Sequence, residues 1–129
     1  MRVLRFLVSG LICGAMLAPL TSVSFAEEDS LYVPLYTYRT GPFAANGVKV
    51  ANGLNAYFEM IMKRDGGIEG RKIIWEECEF GYRTDRGVEC YERLKGKNPL
   101  VSNPFSTGLT YKLVPKARVD KIPLLSMGY

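Results

Sequence analysis

Apolar residues change their spacing along the chain, and each change predicts a new element. Residues 31–37 alternate like a strand and are rich in Leu, Tyr and Val. Pro34 argues against a central strand, because it has no N–H to donate. A helix follows, in which apolar residues recur every three or four positions until Gly66 and Gly67 end it. The predicted apolar stripe consists of Val48, Ala51, Leu54, Phe58, Ile61 and Met62.

The next segment repeats the order of strand and helix. Residues 71–77 include Ile73, Ile74 and Trp75 and predict a second strand, with Cys78 at its end. Thr84 is placed to cap a short helix with Asp85 in its first turn. The apolar face of that helix comprises Val88, Tyr91 and Leu94, and Gly96 is predicted to end it.

A last strand, helix and strand complete the pattern. Residues 99–103 predict a third strand, and a loop over 104–108 opens a third helix that runs to about Val119. Pro115 predicts a kink or break in that helix. Residues 122–127 predict a fourth strand. The order β-α-β-α-β-α-β predicts an α/β fold, in which a parallel sheet has helices on both faces in three layers.

Candidate binding residues follow from this fold, because ligands of open parallel sheets bind beyond the carboxyl ends of the strands. Ser106 and Thr107, followed by Gly108, lie between a strand and a helix, where free N–H groups and hydroxyls suit a carboxylate or phosphate. A plain helix cap is the alternative. Arg39 could pair with an acid and Phe43 could contact an apolar group, or both could belong to a structural turn.

Acidic residues crowd the end of the second strand and continue beyond it, where a general acid/base pair can be imagined. They are Glu76, Glu77, Glu79, Asp85 and Glu89. We interpret them as a solvated acidic face. The fingerprint motifs of dinucleotide and phosphate-loop sites are absent from the sequence.

The N-terminus has the pattern of a secretory signal peptide. Arg2 and Arg5 begin it, an apolar run covers residues 6–20, and Ser24 and Ala26 fit the small-x-small cleavage rule. We therefore predict a signal peptide over 1–26 and a mature chain over 27–129. An uncleaved membrane anchor is the alternative.

Charge and residue content exclude several classes of function. The 129 residues contain 17 Lys and Arg against 13 Asp and Glu, a net charge of +4, with the basic residues dispersed, so nucleic acid is not an expected partner. Histidine is absent, which excludes Ser-His and Cys-His nucleophiles and His-ligated zinc. We expect no cofactor and no metal.

Two cysteines remain after signal removal, Cys78 and Cys90. An even number in an exported chain predicts a disulfide, and two buried free thiols are the alternative.

Several motifs together resemble the periplasmic solute-binding proteins of branched-chain amino acid-type ABC importers, which have the type I periplasmic binding fold. The matching stretches are 40–44 (TGPFA), 64–70 (RDGGIEG), 72–77, 84–92 (TDRGVECYE), 106–108 (STG) and 121–126 (KIPLLS). The resemblance covers residues 32–129.

The resemblance implies two lobes that close on a small solute in the periplasm and deliver it to a membrane permease. It implies that Ser106 and Thr107 hold the carboxylate or equivalent oxygens of the solute and that Ser126 lines the same cleft. Arg39, Phe43 and Asn46 fall where the first loop of the family faces the ligand. A disulfide in this lobe is also common in the family.

The family pattern extends beyond this sequence. The second lobe and the hinge are missing, so residues 27–129 are expected to form an incomplete first lobe. The expected solute is a branched-chain or other hydrophobic amino acid, or a related small carboxylate or amide. The alternatives are the ligand-binding domain of a periplasmic sensor and an exported α/β enzyme.

Overall fold

Two parallel strands form the regular part of the sheet. A computed structural model describes residues 30–126. Strand β1 spans Leu31–Thr37 and strand β2 spans Ile73–Glu79, with Leu31 opposite Ile73 and Thr37 opposite Glu79. Strand β1 lies where the apolar pattern predicts it, while β2 begins and ends two residues later than predicted and includes Cys78. The helix between them makes the parallel crossover that the element order implies.

The third and fourth predicted strands are reduced to single bridges. Asn103 bridges Leu35 in parallel, and Ser102 bridges Leu124 in parallel. The spatial order is therefore β2, β1, residues 99–103 and then Leu124. Residues 99–103 and 122–126 occupy strand positions without regular ladders, and Met127 lies outside the described residues.

Pro34 is the physical reason for the weak third strand. The N–H of Leu100 donates to the carbonyl of Tyr32 at 2.8 Å. Since backbone groups alternate along a strand, Pro34 faces the same side as Tyr32 and cannot donate there. Pro34 is buried within β1, between β2 and residues 99–103. The expectation that Pro34 argues against a central strand is therefore wrong.

Helix α1 spans Ala44–Asp65 and begins earlier than its apolar stripe suggests. Its end is as predicted: Gly66 has φ 72°, and its N–H donates to the carbonyl of Met62. The helix covers the β1 face that carries Leu31, Val33 and Leu35. Its ring contact with the sheet joins Phe58 and Trp75, whose centroids are 5.5 Å apart.

Helices α2 (Thr84–Leu94) and α3 (Thr107–Asp120) pack together on the opposite face, and a 3-10 turn over Lys95–Lys97 follows α2. Gly87 permits their close contact, because a Cβ there would lie 2.5 Å from Leu109 Cδ2. The buried core lies between these helices and the sheet. Its members are Tyr36, Tyr38, Cys78, Phe80, Cys90, Tyr91, Leu94, Leu109, Leu113 and Ala117.

Two local predictions for these helices are wrong. Thr84 is the first helical residue of α2, and Arg83 occupies the cap position without a side-chain cap bond. Helix α3 continues through Pro115 without a break. Pro115 lies on the exposed side of the helix, while Leu109, Leu113 and Ala117 anchor the opposite side in the core.

Cys78 and Cys90 form a disulfide between β2 and α2, with their Cα atoms 5.8 Å apart. The predicted pairing is present in the structure, and both residues are buried in the core. Within residues 30–126, no helix combines the length and the apolar character that a membrane span requires.

Candidate functional site

The loops after successive strands meet at one edge of the sheet. They are residues 38–43 after β1, residues 80–83 after β2, residues 104–106 before α3, and residues 125–126 after the Leu124 bridge. We call this edge the carboxyl rim.

The first two loops touch through their backbones. A Cβ at Gly41 would lie 2.5 Å from the carbonyl oxygen of Gly81, and one at Gly81 would lie 3.2 Å from Thr40 Oγ1. Gly41 has φ 83° and Gly81 has φ 60°. Glycine at both positions therefore lets the two loops adopt left-handed backbone conformations in close contact.

The rim continues from the second loop to α3 and on to the last described residues. Thr84 Oγ1 would lie 3.2 Å from a Cβ placed at Gly108, in the first turn of α3. The hydroxyls of Thr110 and Ser126 are 3.1 Å apart. The neighbourhoods of Thr40, Ser106 and Ser126 thus form one continuous edge, as strand order predicts.

Aromatic rings form an exposed surface on the rim. Phe43 is 50 % exposed, and its ring centroid lies 4.4 Å from that of Tyr82. Tyr82 in turn lies 5.0 Å from Tyr38, edge to face. A half-exposed aromatic pair beside polar loops can contact an apolar group of a ligand while the loops bind its polar end.

Ser106 caps α3. Its Oγ accepts a hydrogen bond from the N–H of Leu109 at 3.3 Å, and its carbonyl accepts one from Thr110 Oγ1 at 2.9 Å. The residue is 4 % exposed. A serine hydroxyl that accepts in a cap keeps its own proton to donate. Thr107 begins the helix and is half-buried, at the end that carries partial positive charge.

Arg39 is engaged with the protein itself. Its Nε and Nη2 bond the two carboxylate oxygens of Glu77, with Nη2 to Oε2 at 3.0 Å, and Nη1 donates to Asn52 Oδ1 at 2.7 Å. The hydrogen bond from Arg39 does most to lower the pKa of Glu77 below its usual value, while burial opposes it. In this arrangement Arg39 ties β1 to β2 and α1.

Asn46 lies in the first turn of α1, and its side chain is exposed. Its N–H donates to the carbonyl of Phe43 at 3.0 Å. The structure thus brings Asn46 to the rim beside Phe43, on the helix that follows the first loop.

Glu79 belongs to the acidic cluster that the sequence predicts to be a solvated face. Glu79 Oε2 accepts from the N–H of Arg39 at 2.7 Å and from Thr37 Oγ1 at 3.1 Å. Its Oε1 accepts from Thr40 Oγ1 at 2.9 Å, Thr40 N at 3.2 Å and Gly81 N at 3.0 Å. Glu77 is therefore ion-paired with Arg39, and Glu79, which stays exposed, is hydrogen-bonded to both loops.

An apolar cavity of about 200 Å³ lies on the α1 face of the sheet and reaches the rim at Phe105. Leu31, Val33, Leu54 and Phe58 are among its lining residues. In the described part of the chain, no group of three or more Cys, Asp or Glu side chains is arranged to hold a metal ion.

Comparison with protein families assigns the chain to a family. The model of the family described as periplasmic binding protein matches residues 30–129. The chain belongs to the periplasmic binding protein family. A search of curated proteins found no match.

Several solved structures share this fold. A protein from the Pseudomonas fluorescens group, described as an ABC transporter permease, is 42 % identical over 79 % of this chain, with a TM-score of 0.72. A fatty acid ABC transporter substrate-binding protein from Thermomonospora curvata is 22 % identical over 78 % of this chain, with a TM-score of 0.70.

A third structure was solved with a ligand. The branched-chain amino acid transporter substrate-binding protein LivJ from Streptococcus pneumoniae, in complex with isoleucine, is 21 % identical over 75 % of this chain, with a TM-score of 0.67. The chain spans about a quarter of each of these proteins, 26 %, 26 % and 28 % of their lengths. The second and third structures are described as substrate-binding proteins, and this chain shares their type I periplasmic binding fold.

Proposed function

We propose that this chain provides the first-lobe part of a solute-binding protein that captures a small carboxylate-bearing solute for an ABC importer. The observation that carries the proposal is the continuous carboxyl rim, where the start of α3 adjoins the other strand-end loops. Membership of the periplasmic binding protein family supports a binding role rather than an enzymatic one.

Each part of the rim suits one part of such a solute. Ser106, Thr107 and Ser126 offer hydroxyls and helix-start N–H groups for carboxylate oxygens. Phe43, with Asn46 beside it, offers a surface for the apolar end. Arg39 supports this rim through Glu77.

The solute class follows from these two surfaces. Hydrophobic and aromatic amino acids, and related small carboxylates, combine a carboxylate with an apolar group. The Streptococcus pneumoniae neighbour binds isoleucine, while the Thermomonospora curvata neighbour is named for fatty acids. Both ligands have this combination.

Export and delivery form the rest of the proposal. Residues 1–26 act as a cleaved signal peptide, residues 27–129 act in the periplasm, and an inner-membrane permease receives the solute. Production of the full chain in a Gram-negative host tests the first step. Periplasmic protein that begins at Glu27 supports it, and protein retained in the membrane with residues 1–26 intact contradicts it.

Titration of the exported chain with isoleucine, phenylalanine and benzoate tests binding. We expect detectable binding of at least one of these, lost in the double variant Ser106→Ala/Thr107→Ala. Lys112→Ala, an exposed change on α3 away from its start, is the matched control and should leave binding unchanged. Equal affinity in the double variant would contradict the assignment of the α3 start.

A further inference from the structure

Glu79 joins the two rim loops that lie nearest the aromatic surface. It belongs to β2, yet its carboxylate accepts hydrogen bonds from the backbone N–H groups of Arg39 and Thr40 in the first loop and of Gly81 in the second. One carboxylate thus bonds the backbone of both loops. Charged acceptors make stronger hydrogen bonds than neutral ones, so this carboxylate fixes backbone on both sides.

The loops that Glu79 joins carry the rings of the rim. Gly81 immediately precedes Tyr82, and Thr40 and Gly41 lead into Phe43, whose ring lies 4.4 Å from that of Tyr82. The close approach at Gly41 and Gly81 leaves little room for either loop to shift alone. A change at Glu79 is therefore transmitted to the Phe43–Tyr82 surface.

We propose that Glu79 is a positioning residue for solute binding, which acts by holding the first and second rim loops in register. This inference rests on the proposed function only in its second step, from loop geometry to solute affinity. The first step, that one carboxylate organises both loops, stands on the hydrogen bonds alone.

The charge state of Glu79 should control the loops. Burial disfavours its charge, but hydrogen bonds from Arg39, Thr40 and Thr37 outweigh burial and hold the pKa of Glu79 below its usual value. The charged groups near it are Arg39 in the first loop and Arg86 on α2, with Glu77 two residues earlier in β2. A protonated carboxyl cannot accept from all of these donors at once.

A loop measurement without solute tests the first step. Amide NMR spectra of the exported chain are recorded from neutral pH down to about pH 3, below the ordinary glutamate range. The amide protons of Arg39, Thr40 and Gly81 should shift together, with one midpoint lower than the usual glutamate pKa. Glu79→Gln should abolish this shared titration, Glu79→Asp should retain part of it, and Glu89→Gln on the exposed face of α2 should leave it intact. If these three amides titrate with different midpoints in the unmodified chain, that result alone would overturn the inference.

A solute measurement tests the second step. Affinity for isoleucine, phenylalanine and benzoate is measured for the same variants at neutral pH. Glu79→Gln should weaken binding about tenfold, about 1.4 kcal/mol, and Glu79→Asp should recover part of the loss. Loosened loops with unchanged affinity would overturn the positioning role and leave the proposed function standing. Shared titration with no binding of any probe by the unmodified chain would overturn the proposed function and, with it, the role of Glu79 in binding.

Discussion

Thr110 and Ser126 place their hydroxyl oxygens 3.1 Å apart and so join the first turns of α3 to the end of the described chain. Thr110 also donates to the carbonyl of Ser106. Ser126 follows Leu124, which bridges Ser102. This contact therefore links the third and fourth strand positions at the carboxyl rim.

The contact should appear as a small energetic coupling. In a double-mutant cycle of Thr110→Val and Ser126→Ala, we expect a coupling of about 0.5–1 kcal/mol, the usual contribution of a neutral hydrogen bond. Urea titration of the two single variants and the double variant measures it. Strict additivity would show that the hydroxyls do not interact in solution.

Glycine substitutions in α1 should have opposite effects at two positions. A Cβ at Gly47 would lie 1.9 Å from the carbonyl oxygen of Tyr38, whereas one at Gly53 would have no neighbour within 4 Å. Gly47→Ala should push the helix start away from β1 and destabilise the fold by more than about 1 kcal/mol. Gly53→Ala, the matched control, should stabilise it by about 0.5–1 kcal/mol. Thermal denaturation of both variants measures the two effects, and loss of stability in both would contradict this account of α1 packing.

The disulfide should contribute strongly to stability. Cys78 and Cys90 are separated by 12 residues, and closing a loop of this size stabilises the folded state by about 3 kcal/mol on the chain-entropy model. Reductant should lower the urea midpoint of the native chain and leave that of Cys78→Ala/Cys90→Ala unchanged. An insensitive native chain would indicate free thiols in solution.

Glu77 should make the free energy of unfolding depend on pH. Its pKa in the folded chain is lowered from 4.5, first by Arg39 and then by Asn55 and Thr37, with burial opposing. A group with a lowered folded pKa stabilises the fold above its unfolded pKa, and this stabilisation is lost as pH falls through the folded value. The free energy of unfolding should therefore fall on acidification from about pH 5 to about pH 3.

Substitution isolates the contribution of Glu77. Glu77→Gln should flatten this decline, while Glu89→Gln, on the exposed face of α2, should reproduce the native slope. Urea titrations across the acid range give these slopes. A native slope in Glu77→Gln would assign the acid sensitivity to other carboxylates.

Apolar periodicity predicted the order of elements well because it reports which face of each element is buried. The stripe from Val48 to Met62 and the stop at Gly66 both match α1. Strand regularity was not predictable in the same way, because it depends on backbone pairing between distant segments. Pro34 shows this: its side chain suits the core, yet its missing N–H weakens the neighbouring strand.

The candidate site was likewise predictable only in part. The rule that ligands bind beyond the carboxyl ends of parallel strands predicted that the surroundings of Thr40, Ser106 and Ser126 share one rim. That prediction needed no knowledge of side-chain contacts. It did not foresee that Arg39 pairs with Glu77 or that Glu79 bonds two loops, because acidic residues on a strand look alike until their partners are known. The spacing of Glu77 and Glu79, on the same face of β2, was the available signal.

Amide chemical-shift mapping of the exported chain, titrated with isoleucine, phenylalanine and benzoate, tests the proposed binding rim most directly. The account predicts that at least one of them shifts amides of residues 40–43, 81–84 and 106–108 together, with little change in Leu54 and Phe58 at the apolar cavity. Shifts confined to the cavity, or no shifts with any of the three, would contradict it.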